Sequence, residues 1–350
     1  MVTRNPDLVG EIIADNILPG LSLPFWSLVT LFQGKGQAPP ITYYQCQADE
    51  TQVDSFWAVH TVVGRRLAAV KTAYQDRRYL DWRFSAYPLF REFMDLWGSH
   101  DDQTILDYGC GPGNDLVGFL THTGARKVIG VDISGKALRF ASRRLALHRI
   151  DPGRVELVCV SDSTEALPIA DHSVDYIYCE GVLHHTTNPE AILREFHRVL
   201  KPGSQACIMV YNHDSIWLHL YVAYELMILQ NRFSGMNVYD AFAKTTDTEA
   251  CPIARCYRPR EFVSLCEDAG FSTEYAGGYF SDLGLHELRL LKKHRQGALR
   301  DKRLAQEHRD FLRDLTFDDR GYPLYRGKHA GIGGVYRLHK RGEPPMEAPA

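Results

Sequence analysis

Three things are missing from this chain, and each absence removes a class of function. No sign of charge dominates: 40 Lys and Arg stand against 43 Asp and Glu, a net charge of −3. The pI is about 6.6, so the basic footprint of a nucleic-acid surface is lacking. No apolar run reads as a membrane span, which takes about 20 residues. The stretch "LSLPFWSLVTLF" at 21–32 has only 12. It reads as packing surface, with a membrane-surface or pocket-lining role as the other openings. Asp7, Glu11 and Asp15 interrupt the region before it and no small-residue cleavage pattern follows, so the start does not read as a secretory signal. No cysteine pair has C-x-x-C spacing. The eight cysteines, at 46, 110, 159, 179, 207, 251, 256 and 266, read as reduced core thiols of a cytoplasmic protein, and no metal is expected.

What is present is an ordinary globular composition, 45% hydrophobic and 24% charged, over 350 residues. Such a length buries a large core without staples. Residues 1–100 look helical and irregular and are rich in aromatics. From 103 the texture changes to short β-branched runs alternating with helical patterns, as βαβ units and a parallel sheet require. The strands read as 104–109, 127–133, 155–161, 174–181 and 205–212. The helix between the last two begins at Asn188-Pro189 and stops at Pro202-Gly203, a proline-first, glycine-last punctuation. A helix from 259, a strand near 273 and a final strand at 334–340 follow. The charged stretch 285–315 has helical Leu and Phe spacing and most simply presents a solvated face.

The densest signal is "TILDYGCGPGND" at 104–115, where Gly109, Gly111 and Gly113 follow a strand at alternate positions. Glycines so placed let a ligand lie against the backbone, beside a helix N-terminus that offers N–H groups. The dinucleotide fingerprint G-x-G-x-x-G needs a glycine where Asn114 stands. Asp107, at the strand end, suits a cationic ligand group better than a pyrophosphate. The bland reading is a tight turn, although two glycines would suffice for one.

These residues resemble the first motif of the class I S-adenosylmethionine-dependent methyltransferases. "VIGVDIS" resembles the family's second motif. There Asp132, 25 residues after Asp107, would accept hydrogen bonds from ribose hydroxyls, with Ile133 beside it. Asp132 could otherwise cap a helix, a role that Ser134 can also fill. In the stretch 158–185, Asp162 and Ser163 would approach the adenine, and the fourth strand would end at Glu180, which the resemblance also places among the cofactor-binding residues. "REFHRVLKPGS" resembles the quinone/sterol-type, small-molecule branch. The resemblance covers about 100–215, weakly to 280 and again at the last strand.

It implies an α/β, Rossmann-like fold: a mostly parallel seven-stranded sheet flanked by helices. The division it suggests is a helical extension and lid at 1–100, a core at 101–281 with a second lid at 213–260, a helical insertion at 282–330, a last core strand at 331–341 and a disordered tail at 342–350. It also implies methyl transfer to O, N or C of a small, partly hydrophobic metabolite, with S-adenosylmethionine as cofactor. No nucleic acid and no integral membrane contact is expected, and the oligomeric state stays open, a homodimer included. Within the family pattern Tyr79 and Arg83, four apart on one helical face, would meet the cofactor's carboxylate end. His185 or His213, after the fourth and fifth strands, would serve as base or substrate orienter; packing against the cofactor edge is the plainer role for a histidine at 184 or 185. Two other classes stay in view, a cofactor-binding regulatory protein without turnover and an NAD-dependent oxidoreductase, which the Asn114 departure disfavours.

Overall fold

The computed structural model describes residues 36–45, 51–60, 69–281 and 284–341. The apolar stretch at 21–32 and the tail at 342–350 lie outside the described residues. A short strand β1 (Ile41–Tyr43) and three helices, α1 (Gln52–Val59), α2 (Ala73–Ala86) and α3 (Phe90–Met94), precede the central strand β2 (Thr104–Tyr108). There follow α4 (Asn114–His122), β3 (Lys127–Asp132), α5 (Gly135–Leu147), β4 (Val155–Cys159), β5 (Val174–Glu180), α6 (Pro189–Val199) and β6 (Leu200–Tyr211). After these come a π-helix (Trp217–Leu229), α7 (Val238–Thr246), α8 (Pro259–Asp268) and β7 (Phe271–Tyr279). The chain then forms α9 (Gly284–Arg300), α10 (Gln306–Arg313), β8 (Thr316–Phe317), β9 (Pro323–Tyr325), β10 (Lys328–His329) and β11 (Gly333–Lys340).

The main sheet runs β1-β4-β3-β2-β5-β6-β11-β7. Its pairs from β1 to β6 are parallel, and β11 lies antiparallel between β6 and β7. It therefore has eight strands, not seven. The extra one is β1, three half-exposed residues zipped parallel onto β4 at the edge. The insertion also departs from expectation: it is helical only as far as Arg313, and residues 316–329 form a small antiparallel sheet, β10-β9-β8.

The sheet is buried on both faces because its strands are apolar at consecutive positions. Along β2, Ile105 enters one core with Leu116, Phe119 and Leu138, while Leu106 enters the other with Leu193, Phe196 and Phe262. Local chemistry sets the helix starts. Thr72 accepts from Gln75 N at the head of α2, Ser134 from Ala137 N at α5, and Asn188 from Ala191 N at α6, where Pro189 needs no donor. α6 ends at Val199, and the Pro202-Gly203 turn belongs to the long strand β6. The π-helix is apolar on all sides, and α7, α9 and α10 pack around it. No helix among the described residues is long and apolar enough to cross a membrane.

Candidate active site

From β2 the chain winds outward one way through β3 and β4, then returns to wind the other way through β5 and β6. The carboxyl ends of β2 and β5 therefore flank a topological switch point, where open α/β sheets place their ligands. A cavity of about 420 Å³ opens there.

The three glycines of the loop after β2 all have positive φ, +74° at Gly109, +52° at Gly111 and +79° at Gly113, a backbone that side chains resist. Their surroundings differ. A Cβ on Gly109 would stand 2.0 Å from Val182 Cγ2, and one on Gly113 would stand 2.8 Å from Ala141 Cβ on α5. One on Gly111 would meet nothing nearer than the Gly109 carbonyl oxygen at 4.0 Å. Gly109 and Gly111 line the cavity; Gly113 does not. The expectation that Gly113 leaves room for a ligand is thus corrected: it lets α5 pack close.

Asp132 receives two backbone N–H groups, from Gly111 at 2.7 Å and Ser134 at 2.7 Å. Burial outweighs these bonds and raises its carboxyl to about 6. Ser134 caps α5 through its own hydroxyl, which leaves Asp132 to the cavity, and Ile133 lines the wall beside it. Asp107 is 3% exposed, and its Oδ2 is buried without a hydrogen-bond partner among the described residues. Burial, helped by the nearby Asp115, Glu180 and Asp132 carboxylates, raises its pKa well above the usual range. A buried, orphaned carboxylate facing a cavity is the natural seat of a cationic group.

Tyr79 and Arg83 also line the cavity. Arg83, however, is engaged by protein carboxylates: Nη1 donates to Asp115 Oδ1 at 2.6 Å and Nη2 to Glu180 Oε2. Glu180 in turn accepts from the Tyr279 hydroxyl at 2.9 Å. The guanidinium therefore ties α2 to α4 and β5 and is not held free for a ligand carboxylate. A second buried tie links α2 to the glycine loop. Arg144 donates from Nε to Asp76 Oδ1 at 2.9 Å, and from Nη1 to the Pro112 carbonyl at 2.8 Å and Asn114 Oδ1 at 2.7 Å. α1 is fastened likewise, because Asp54 accepts from Ser161 Oγ and from Asp162 N, both at 2.8 Å.

Asp162 lies at the cavity wall, with its carboxylate turned to the Thr187 backbone N–H and hydroxyl. Ser163 is not brought to the cavity; its hydroxyl pairs with Ser161 Oγ at 3.0 Å. Nor is His213, which is buried behind the wall against Asp214 and Glu307. The end of β6 turns it away from the cavity that Tyr211, two residues earlier, faces.

His185 does reach the cavity, on a 3₁₀ turn after β5. Its Nδ1 donates to the Ile253 carbonyl at 2.6 Å and its Nε2 to Asp247 Oδ2 at 3.1 Å. Burial opposes its charge, yet the bonds to Asp247, Cys251 and Ile253 prevail and raise it to about 9. With both nitrogens donating, the ring is no free base; it orients Asp247. That carboxylate also accepts from the Tyr211 hydroxyl at 2.6 Å, and these bonds hold it below the usual carboxyl range against burial. The ring of Trp57 stands over His185, centroids 5.1 Å apart, and Trp82, Tyr87 and Trp217 complete an aromatic enclosure. Asp247 and Tyr279 were not legible as site residues, since nothing in their local sequence marks them. Asp115 carried one signal, its place in the first turn after the glycines. Among the described residues, His185, Asp247 and Cys251 form one of two groups whose ligand atoms lie close enough for a metal; the other is His213, Asp214 and His219.

Comparison with known proteins gives a family match and several relatives. The family described as "Methyltransferase domain" matches residues 106–208. The ubiquinone biosynthesis O-methyltransferase of Neisseria meningitidis serogroup C is 30% identical over 184 residues, 52% of this chain and 69% of that one. The thiol S-methyltransferase TMT1B of Rattus norvegicus is 31% identical over 127 residues, 36% of this chain and 50% of that one. Among solved structures, the YcgJ protein of Bacillus subtilis superposes with a TM-score of 0.45 at 17% identity, over 71% of this chain and 97% of that one.

Proposed function

Because this chain belongs to the class I S-adenosylmethionine-dependent methyltransferases, in their small-molecule, quinone-type branch, we propose that it methylates O, N or C of a small, partly hydrophobic acceptor by in-line displacement. One observation carries this reading: a single cavity joins the glycine loop to the Asp247–His185–Tyr211 group. The bound cofactor supplies a methyl carbon already activated by its positive sulfur. The protein's part is alignment and exclusion of water, and positioning alone is worth roughly 7–11 kcal/mol of such a barrier.

In this reading Asp107 takes the cofactor's α-amino cation, and Gly109 and Gly111 let the cofactor lie on the loop. Asp132 accepts from the ribose hydroxyls, while Ile133 and Asp162 border the base. Arg83 and Glu180 act through each other: the ion pair fixes α2, with Tyr79, as a roof over the methionine end. The acceptor sits between Trp57, Tyr87 and Trp217. Asp247, kept ionised by His185 and Tyr211, accepts a hydrogen bond from an acceptor O–H or N–H and orients it, and His185 holds Asp247 in place. One named relative is an O-methyltransferase of ubiquinone biosynthesis, and the aromatic enclosure supports a partly hydrophobic acceptor here. We further place it in the cytoplasm, where the seven described cysteines, none of them in a disulfide, would stay reduced.

The test is transfer of label from methyl-labelled S-adenosylmethionine into extracts of the source cells, followed by separation of small molecules from polymers. The reading expects label in a small-molecule fraction. Label confined to protein or nucleic acid, or cofactor binding without transfer to any fraction, overturns it.

A further inference from the structure

A second polar cluster, which methyl transfer does not use, lies directly behind the acceptor wall. His213 and Asp214 follow β6, His219 stands in the π-helix, and Glu307 and His308 open α10. The three histidines are 2%, 1% and 6% exposed. His213 Nδ1 lies 2.9 Å from Asp214 Oδ1, and its Nε2 lies 3.2 Å from Glu307 Oε1 and 3.3 Å from the Tyr239 hydroxyl. The His219 ring is stacked on Phe311, centroids 4.0 Å apart, and its Nδ1 is 2.8 Å from His308 Nδ1.

Two ring nitrogens 2.8 Å apart share one hydrogen: one donates and the other accepts. When His219 is the donor, its Nε2 carries a bare lone pair. That Nε2 is buried and has no hydrogen-bond partner among the described residues, a state that ordinarily carries a desolvation cost. Ligand atoms of His213, Asp214 and His219 all lie within 4.8 Å of one another. Tetrahedral zinc, with bonds of about 2.0–2.1 Å, sets its ligands roughly 3.3 Å apart, and the His213–Asp214 pair is already near that spacing. Two imidazoles with one carboxylate is borderline-soft donor chemistry, suited to zinc-like ions and not to magnesium or calcium.

We propose that His213, Asp214 and His219 bind one divalent transition-metal ion of the zinc type, with His308 orienting His219 from the outer side. A metal ligand whose second ring nitrogen is held by a fixed partner is the usual arrangement in such sites. The ion would join the segment leaving β6 to the π-helix. Tyr211 and Trp217, each two residues before a histidine ligand, line the cavity, so the ion would brace the acceptor wall and leave the cofactor end untouched.

The test titrates the full chain, stripped with chelator, with Co²⁺, whose visible d–d absorption reports coordination geometry. One equivalent with tetrahedral bands, displaced by Zn²⁺, is expected. Asp214→Asn, a nearly isosteric change at a partly exposed position, should weaken Co²⁺ binding at least about tenfold, the loss that even an outer partner brings, and leave S-adenosylhomocysteine binding unchanged. His219→Gln, shown folded by circular dichroism, should abolish it. Absence of stoichiometric binding overturns the proposal. So does a thiolate charge-transfer band that persists in Asp214→Asn and vanishes in Cys251→Ser, which would put the ion on the cavity group instead.

Discussion

At His185, burial and charge act in opposite directions. The ring is 4% exposed, and burial by itself would push it below its ordinary 6.5. The bonds to Asp247, Cys251 and the Ile253 carbonyl reverse this and hold it at about 9. At 1.36 kcal/mol per unit, the gap is worth about 3 kcal/mol of proton-linked stability. The folded pKa is raised, so this contribution is fully present below about pH 6.5 and is lost as pH climbs through about 9. Asp247→Asn removes the carboxylate but leaves burial and the bonds to Cys251 and Ile253, so it should move the ring down from about 9. Urea unfolding of both proteins across pH 6–10 should show the wild-type advantage shrinking above pH 6.5, by at most about 3 kcal/mol. Titration of the His185 Cε1–H signal should give a midpoint near 9 in the wild type. Parallel stability curves, or a wild-type midpoint at or below 6.5, would refute the ion pair and with it the reading of His185 as the residue that orients Asp247.

Three further outcomes are expected. Cofactor binding should release a proton from Asp107, whose pKa is raised well above the ordinary range by burial. Calorimetry in buffers of different ionisation enthalpy measures this, and Asp107→Asn should lose the release and weaken binding by about 1.5–3 kcal/mol. Gly111→Val should keep a native circular dichroism spectrum yet lose S-adenosylhomocysteine binding, and lower the melting temperature only through the strain of its positive φ, since its Cβ direction is open; Gly113→Val should lower the melting temperature further, because its Cβ would also press on Ala141. Asp76→Ala leaves Arg144, 0% exposed, as an uncompensated buried charge. It should cost about 3–5 kcal/mol, read as a fall in the denaturation midpoint.

The glycine-loop half of the cavity was legible because it is local. A strand, a glycine turn and a helix start sit within 104–115, and Asp132 ends the next strand, so the order of residues already carries the geometry. Even there, position alone did not separate the glycines. Gly109 and Gly113 yield to Val182 and Ala141, side chains 73 and 28 residues further on, and only Gly111 faces open space. The two histidines show the same limit. His185 and His213 follow adjacent strands of the sheet, yet one turns into the cavity and the other behind it.

The alternation of strands and helices that makes a parallel sheet, and the acids at the ends of β2 and β3, were determined by the sequence alone, since hydrophobic periodicity and turn chemistry act between near neighbours, whereas the side-by-side order of the strands, and with it the switch point, came only with tertiary pairing. The eighth strand was decided by tertiary pairing, because three half-exposed residues become a strand only when β4 presents its edge. Tertiary structure also decided the partners of the buried charges. Arg83 finds Glu180 across 97 residues, and Asp247 meets His185 and Tyr211 from a helix end far along the chain. A buried charge must be matched within a few ångströms, and distance along the chain says nothing about which group will be there.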